Sequence, residues 1–213
     1  MHRLVLASGN PGKLREFRQL CEPLGLTILS QSELGIHDAD EPHCTFVENA
    51  LAKARHASRA SGLPAFADDS GICVAALDGA PGVHSARFAA PNEHIARFAG
   101  MSPDRDTQDA CNNAKLIAML AAKADRSAHY TCVIVLVRHA DDPEPLIAEG
   151  RWEGEIIATP RGDGGFGYDP YFFLSSLNKT AAELPAHEKN RISHRGKALA
   201  ALAARLQSVR CEA

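Results

Sequence analysis

The run Tyr130-Thr131-Cys132-Val133-Ile134-Val135-Leu136-Val137 constrains the fold most. Apolar and β-branched side chains fill nearly every position, so neither face of the strand it forms can be left to water. Such a strand belongs in the middle of a sheet with helices on both sides. Leu146 to Ala158 returns as its partner, with Glu149, Arg151 and Glu153 on an exposed face. Short apolar runs at Arg3 to Ala7, entered directly from Met1-His2, and at Leu26 to Leu29 predict further strands. Pro64 to Ala67 and Ile72 to Ala75 predict two more around Asp68-Asp69-Ser70-Gly71, and Tyr171 to Leu174 a last one.

Helices alternate with these strands. Lys13 to Cys21 sets Leu14, Phe17 and Leu20 or Cys21 on one side. Thr45-Phe46-Val47-Glu48 reads as a capping box opening a helix to Ser61, with Val47, Ala50, Leu51, Ala54 and Ala57 as its apolar stripe and Gly62 ending it. Asp109 to Ala122 repeats Ala114, Ile117, Ala118 and Ala121, and a final helix runs from His194 to Val209. Gly35 to Cys44 is polar and reads as loop. The fold class is α/β with a mixed sheet flanked by helices, one domain over residues 1–213.

Composition removes several functions. A formal charge of -3 supplies no basic field for a nucleic-acid backbone, and aromatic residues are only 6% of the chain. No segment approaches the ~18 apolar residues of a membrane span, and the start lacks the flanks of a signal peptide. The six cysteines form no CxxC pair, so the expectation is reduced thiols in a cytoplasmic protein.

Four stretches carry chemistry, each with an ordinary alternative. Ser8-Gly9-Asn10-Pro11-Gly12-Lys13 joins a strand to a helix, where glycines, free N–H groups and a lysine suit a phosphate. It is equally a plain turn with a surface lysine, and it is not a GxxxxGK[ST] loop. Glu41 with Asp68 and Asp69 offers hard oxygen ligands for Mg2+, or a solvated acidic turn. Consecutive strand residues face opposite ways, so Asp68 and Asp69 should play unequal parts. Lys53, at the flank of its helix stripe, reaches a phosphate or snorkels to water. Gly164-Gly165-Phe166-Gly167-Tyr168-Asp169-Pro170 can close on a flat ligand, with the Phe166 ring stacking and Asp169 accepting from a base N–H, or be a simple loop. Glu188 to Lys197 is a charged helix start that aims His194 and Arg195 at an acceptor if Ser193 caps it.

Together these stretches resemble the inosine triphosphate pyrophosphatase family. The matching motifs are Ser8-Gly9-Asn10 with Lys13 and Glu16; Thr45-Phe46, Glu48-Asn49-Ala50 and Lys53-Ala54; Asp68-Asp69-Ser70-Gly71; Gly79, Pro81, Gly82 and Ser85-Ala86-Arg87; Gly165 to Pro170; and Ser193 to Ala198. They follow the family's order over nearly the whole chain.

The resemblance implies an elongated α/β structure of two lobes with the cleft between them, usually a homodimer. It implies Mg2+-dependent hydrolysis of ITP, dITP and XTP between the α- and β-phosphates, releasing pyrophosphate and clearing the nucleotide pool. On these positions Ser8, Gly9, Asn10, Pro11, Gly12 and Lys13 hold the triphosphate, Glu41 and Asp69 bind magnesium, and Asp69 is the proton acceptor. Lys13, Lys53 and Asp68 complete the catalytic set. Ser70 touches substrate, while Phe166, Gly167, Tyr168, Asp169, Lys189, His194 and Arg195 line the base pocket. The chain departs from the pattern at His43-Cys44, where many relatives place a glycine. Competing readings are a related pyrophosphatase for modified or pyrimidine nucleotides and a non-catalytic nucleotide sensor.

Overall fold

The computed structural model describes residues 3–22, 25–89 and 104–211; for Pro11, Glu16, Leu20 and residues from 208 onward only the backbone enters the description. Met1-His2, expected to lead into the first strand, lies outside the described residues.

The strands are β1 (Arg3–Leu6), β2 (Thr27–Ser30), β3 (Ala65–Val74), β4 (Ser127–Val137), β5 (Leu146–Ile156), β6 (Phe172–Leu174) and β7 (Lys179–Thr180). They form one sheet in the order β2-β1-β3-β4-β5-β6-β7, which puts the Tyr130–Val137 run in the middle as expected. β1 lies parallel to β2 and β3, while β5–β6 and β6–β7 are antiparallel, so the sheet is mixed. The principal helices are α1 (Pro11–Cys21), α2 (Phe46–Ser61), α3 (Arg105–Leu120), α4 (Ala186–Ile192) and α5 (His194–Cys211).

The chain resolves into two compact units. The first gathers Met1–Ser70, Cys132–Arg151 and His194–Ala213; the second gathers Gly71–Thr131 and Trp152–Ser193.

In the first unit the strand alternation sorts side chains into two cores. Leu4, Leu6, Cys132, Ile134 and Leu136 pack with Phe17 and Cys21 of α1 and with Ala198, Leu199 and Leu202 of α5. Val5, Ala7, Val133, Val135 and Val137 pack with Ala50, Ala54 and Ala57 of α2. Residues one apart thus serve opposite layers, which explains the absence of a polar face over Cys132 to Val137 of β4. Small residues let helices lie close. A Cβ at Gly150 of β5 would run into the His194 carbonyl oxygen and come within 2.5 Å of the Ala198 nitrogen, so α5 rests directly on the strand backbone.

The second unit is built on larger rings. Tyr130, Trp152 and Phe172 form one cluster, with ring centroids 4.7 Å apart for Tyr130–Phe172 and 5.3 Å for Trp152–Phe172. Ile72, Val74, Leu116 and Leu120 pack against it.

Four expectations change. The two short strands around Asp68-Asp69 are a single ten-residue strand, β3, because both carboxylates find cations and need no turn into water. The buried face of α3 is Asn112, Asn113, Leu116 and Leu120, while Ala114 and Ala118 are exposed; in an alanine-rich helix the two bulkier leucines decide which face turns inward. Only half of the capping box forms as drawn: Thr45 Oγ1 accepts from Glu48 N at 3.3 Å, but its hydroxyl then donates to Glu48 Oε2 at 2.5 Å. Helix α4 was not anticipated. Ser193 ends it in extended conformation, directly before α5.

Candidate active site

Within the first unit, β3 turns Asp68 and Asp69 to different partners. Lys13, in the first turn of α1, places its Nζ 2.8 Å from Asp68 Oδ2, and the Asp68 side chain is wholly buried. Arg195 Nε lies 3.9 Å from the same oxygen, and Ser70 Oγ donates to it at 3.4 Å. Burial pushes the Asp68 carboxyl up, but Lys13 and Arg195 outweigh it and hold the group down at about 2. Asp68 is therefore an ionised anchor for cations. Its Oδ1 is buried without a hydrogen-bond partner among the described residues.

Asp69 faces α2 and the loop before it. Lys53 Nζ sits 3.0 Å from Asp69 Oδ1 and 2.7 Å from Glu41 Oε1, so one ammonium bridges two carboxylates. Burial raises the Asp69 carboxyl above the ordinary aspartate value, Lys53 opposes this, and the Glu41 charge adds to it. Lys53 is disfavoured as a cation by burial, yet Asp69, Glu41 and Asp68 together hold it above the ordinary lysine value. Its alternative as a snorkelling surface lysine is thereby removed.

Asn49 is a participant that residue-by-residue reading missed. Buried at 1% exposure, its side chain accepts from His43 N at 3.1 Å and donates to His43 O at 3.2 Å and to Asp69 Oδ2 at 3.4 Å. It ties the Glu41 loop to Asp69 and fixes the path of that loop through His43-Cys44. The available signal was a polar residue beside the alanine stripe of a capped helix.

The Ser8–Lys13 loop differs from the open nest of N–H groups expected of it. Asn10 is the N-cap of α1, and its Oδ1 accepts from Gly12 N at 2.8 Å and Lys13 N at 3.2 Å. Ser8 Oγ accepts from Asn10 N at 3.2 Å, and Pro11 has no N–H to give. The loop answers its own donors, leaving Lys13 as its clear positive charge.

The metal implied by the resemblance fits the donors present. Glu41 and Asp69 are hard oxygen donors that already converge on one cation, the Lys53 ammonium, and magnesium takes only one or two carboxylates with water completing its shell. Among the described residues no group of three or more His, Cys, Asp or Glu side chains is arranged to hold a metal ion.

Within the second unit, the glycine-rich loop presents Phe166 with 49% of its surface exposed. The Arg105 guanidinium lies 4.9 Å and the Lys189 ammonium 5.4 Å from its ring centroid. Asp169 has another occupation than the base N–H expected of it. Its Oδ2 accepts from Phe166 N at 2.8 Å and pairs with Lys189 Nζ at 2.5 Å, so it holds its own loop shut. A Cβ at Gly165 would collide with that carboxylate, which is why the position is glycine. Tyr168 is also displaced from the expected pocket lining: it is buried, and its hydroxyl donates to Ser85 O at 2.8 Å. Gly167 is held at both ends, its N–H donating to Asp109 Oδ2 and its carbonyl accepting from Asn113 Nδ2, each at 2.9 Å. His194 and Arg195 start α5 and belong to the first unit, with the Asp68 cluster.

A family model described as the Ham1 family matches residues 4–205. The chain belongs to the Ham1 family. Membership bears out the resemblance drawn from the ordered motifs. A relative from Ralstonia nicotianae, named dITP/XTP pyrophosphatase, is 63% identical over 97% of this chain and 98% of its own. A protein of the same name from Burkholderia pseudomallei is 62% identical over 98% and 95%. Among solved structures, a HAM1 protein from Coxiella burnetii matches with a TM-score of 0.87 at 47% identity, covering 98% of this chain and all of the other. The mixed sheet flanked by helices is thus the Ham1 architecture.

Proposed function

We propose that this chain is a nucleoside-triphosphate pyrophosphatase that hydrolyses ITP, dITP and XTP to the nucleoside monophosphate and pyrophosphate, keeping them out of DNA and RNA. The observation that carries the reading is the Glu41–Lys53–Asp69 bridge beside the Lys13–Asp68 pair. Two cations and three carboxylates in one cluster suit a polyphosphate with its metal, and the relatives named dITP/XTP pyrophosphatase support that substrate class.

Glu41 and Asp69 would hold Mg2+, which when bound supplies a Lewis acid for phosphoryl oxygens and an acidified water. Asp69 takes the proton of the attacking water. Burial raises its carboxyl above the ordinary aspartate value, against the pull of Lys53. Lys13 and Lys53 balance the charge that gathers on the departing pyrophosphate, and Asp68, ionised at neutral pH, holds Lys13 in place. The Ser8–Gly12 loop, self-capped by Asn10, sets Lys13 to meet the chain of phosphates, with Ser70 near Asp68. Phe166 stacks on the base, and Lys189 beside its ring is a donor for the 6-keto oxygen of hypoxanthine or xanthine. Adenine offers an amino donor there, and a buried donor facing a donor costs ~1–3 kcal/mol per mismatch. A cytoplasmic homodimer completes the proposal.

Pyrophosphate release from ITP, XTP, dITP, GTP and ATP, with and without magnesium, tests it. Noncanonical purines should exceed ATP by about a hundredfold or more, only with the metal present. Asp69→Asn should lower kcat by ~10²–10⁴-fold with little change in nucleotide binding. Equal turnover of ATP and ITP, release of single phosphates, or an active Asp69→Asn enzyme would refute the reading.

A further inference from the structure

Helix α3 turns four polar side chains toward two loops instead of a simple apolar stripe. Gln108 Nε2 donates to Ala89 O and Asn112 Oδ1, both at 2.9 Å, and Asn112 Oδ1 accepts from Ala89 N at 2.7 Å. Asn112 Nδ2 donates to Ser85 O at 3.3 Å and Ala86 O at 3.1 Å. One residue on from each of these, Asp109 and Asn113 take the N–H and the carbonyl of Gly167.

Gly167 has φ +62°, a backbone setting glycine adopts at no steric cost, but glycine also brings the largest conformational freedom. Its two hydrogen bonds remove that freedom. The peptide plane between Phe166 and Gly167 is pinned through the Gly167 N–H, and the next plane through its carbonyl. The Phe166 ring hangs from the first of these planes and is half-exposed, so the loop backbone, with the Arg105 and Lys189 cations beside the ring, governs its direction.

We infer that Asp109 and Asn113 are positioning residues for base recognition, acting through Gly167 to present Phe166 in its stacking pose without touching substrate. This rests on the proposed nucleotide chemistry, which it deepens by assigning the recognition of the base to a clamp on α3. A loop ordered beforehand spares the ligand the cost of ordering it, so the clamp contributes to affinity at the base end of the nucleotide and not at the phosphate end.

The test uses the full chain with Asp109→Ala, Asp109→Asn and Asn113→Ala, and reads kcat and KM for ITP beside two competitive probes. Inosine reports the base end and inorganic tripolyphosphate the phosphate end. Asp109→Ala and Asn113→Ala should each raise KM for ITP and weaken inosine about tenfold, leaving kcat within about threefold and tripolyphosphate inhibition unchanged. Asp109→Asn retains an acceptor for the Gly167 N–H and should behave as the unsubstituted protein. Equal weakening of both probes, loss of kcat alone, or no change in any constant would overturn the clamp. Asp109 is half-exposed, so Asp109→Ala carries the test if Asn113→Ala does not fold. Should the unsubstituted protein fail to hydrolyse ITP, the proposed function falls by itself; calorimetric inosine binding by the same variants then still decides the clamp.

Discussion

Asp68 and Asp69 are adjacent, yet their carboxyls move in opposite directions. Both are burdened by burial; Lys13 and Arg195 reverse the burden for Asp68, whereas Asp69 shares Lys53 with Glu41 and stays raised. The signs lead to different pH dependences. A carboxyl held at about 2 against an ordinary 3.8 stabilises the fold while ionised, so its contribution is complete above 3.8 and disappears as pH falls toward 2. That difference corresponds to about 2 kcal/mol. Asp69 acts oppositely: its contribution is complete below the ordinary value and is lost as pH rises through its raised one. Chemical denaturation at pH 5 and pH 2.5 should show the native protein losing stability on acidification. Asp68→Asn should start about 2 kcal/mol lower and show a shallower loss. An unaltered acid response in that variant would mean that Lys13 and Asp68 do not pair in solution.

At the scale of elements, glycine and alanine decide how closely helices approach. Gly150 has no room for a Cβ because the start of α5 lies against it, and α5 also carries His194 and Arg195. Gly150→Ala should lower Tm by several degrees, about 2–4 °C per kcal/mol for a chain of this size, and reduce activity as Arg195 moves off Asp68. Differential scanning calorimetry and the pyrophosphate assay measure the two effects. Legibility in the sequence follows the same physics. β5 and α2 are legible because their periodicity is carried by side chains of contrasting polarity, and β4 because its apolar, β-branched run is unbroken. The face of α3 was not: alanines fit either side of a helix, and Asn112 and Asn113 are inward because loops distant in sequence need their amides. β3 was read as two strands because lone acidic residues signal a turn, and only Lys13 and Lys53, far off in sequence, allow them to lie within a strand. Of the site, the lysines and carboxylates were legible one by one, while their pairing, the Asn49 tie and the self-capped Asn10 loop are properties of the folded chain alone.

For the whole molecule, Lys53 makes the fold independent of the divalent ion proposed for the site. Glu41 and Asp69 keep a cation between them whether or not magnesium is present, so EDTA should leave Tm unchanged within about 2 °C. Lys53→Met strands two carboxylates together; Tm should fall by about 5–10 °C, and added Mg2+ should recover part of the loss by mass action. A strong effect of EDTA on the unsubstituted protein would count against the lysine bridge. The packing of α5 against Leu4, Leu6 and Phe17 has a different bearing, on biosynthesis. Strand β1 is covered by a helix that follows it by most of the sequence. That core therefore stays open until α5 has been made, and a message cut short before α5 yields a chain with its apolar seam uncovered, marked for chaperones and proteases.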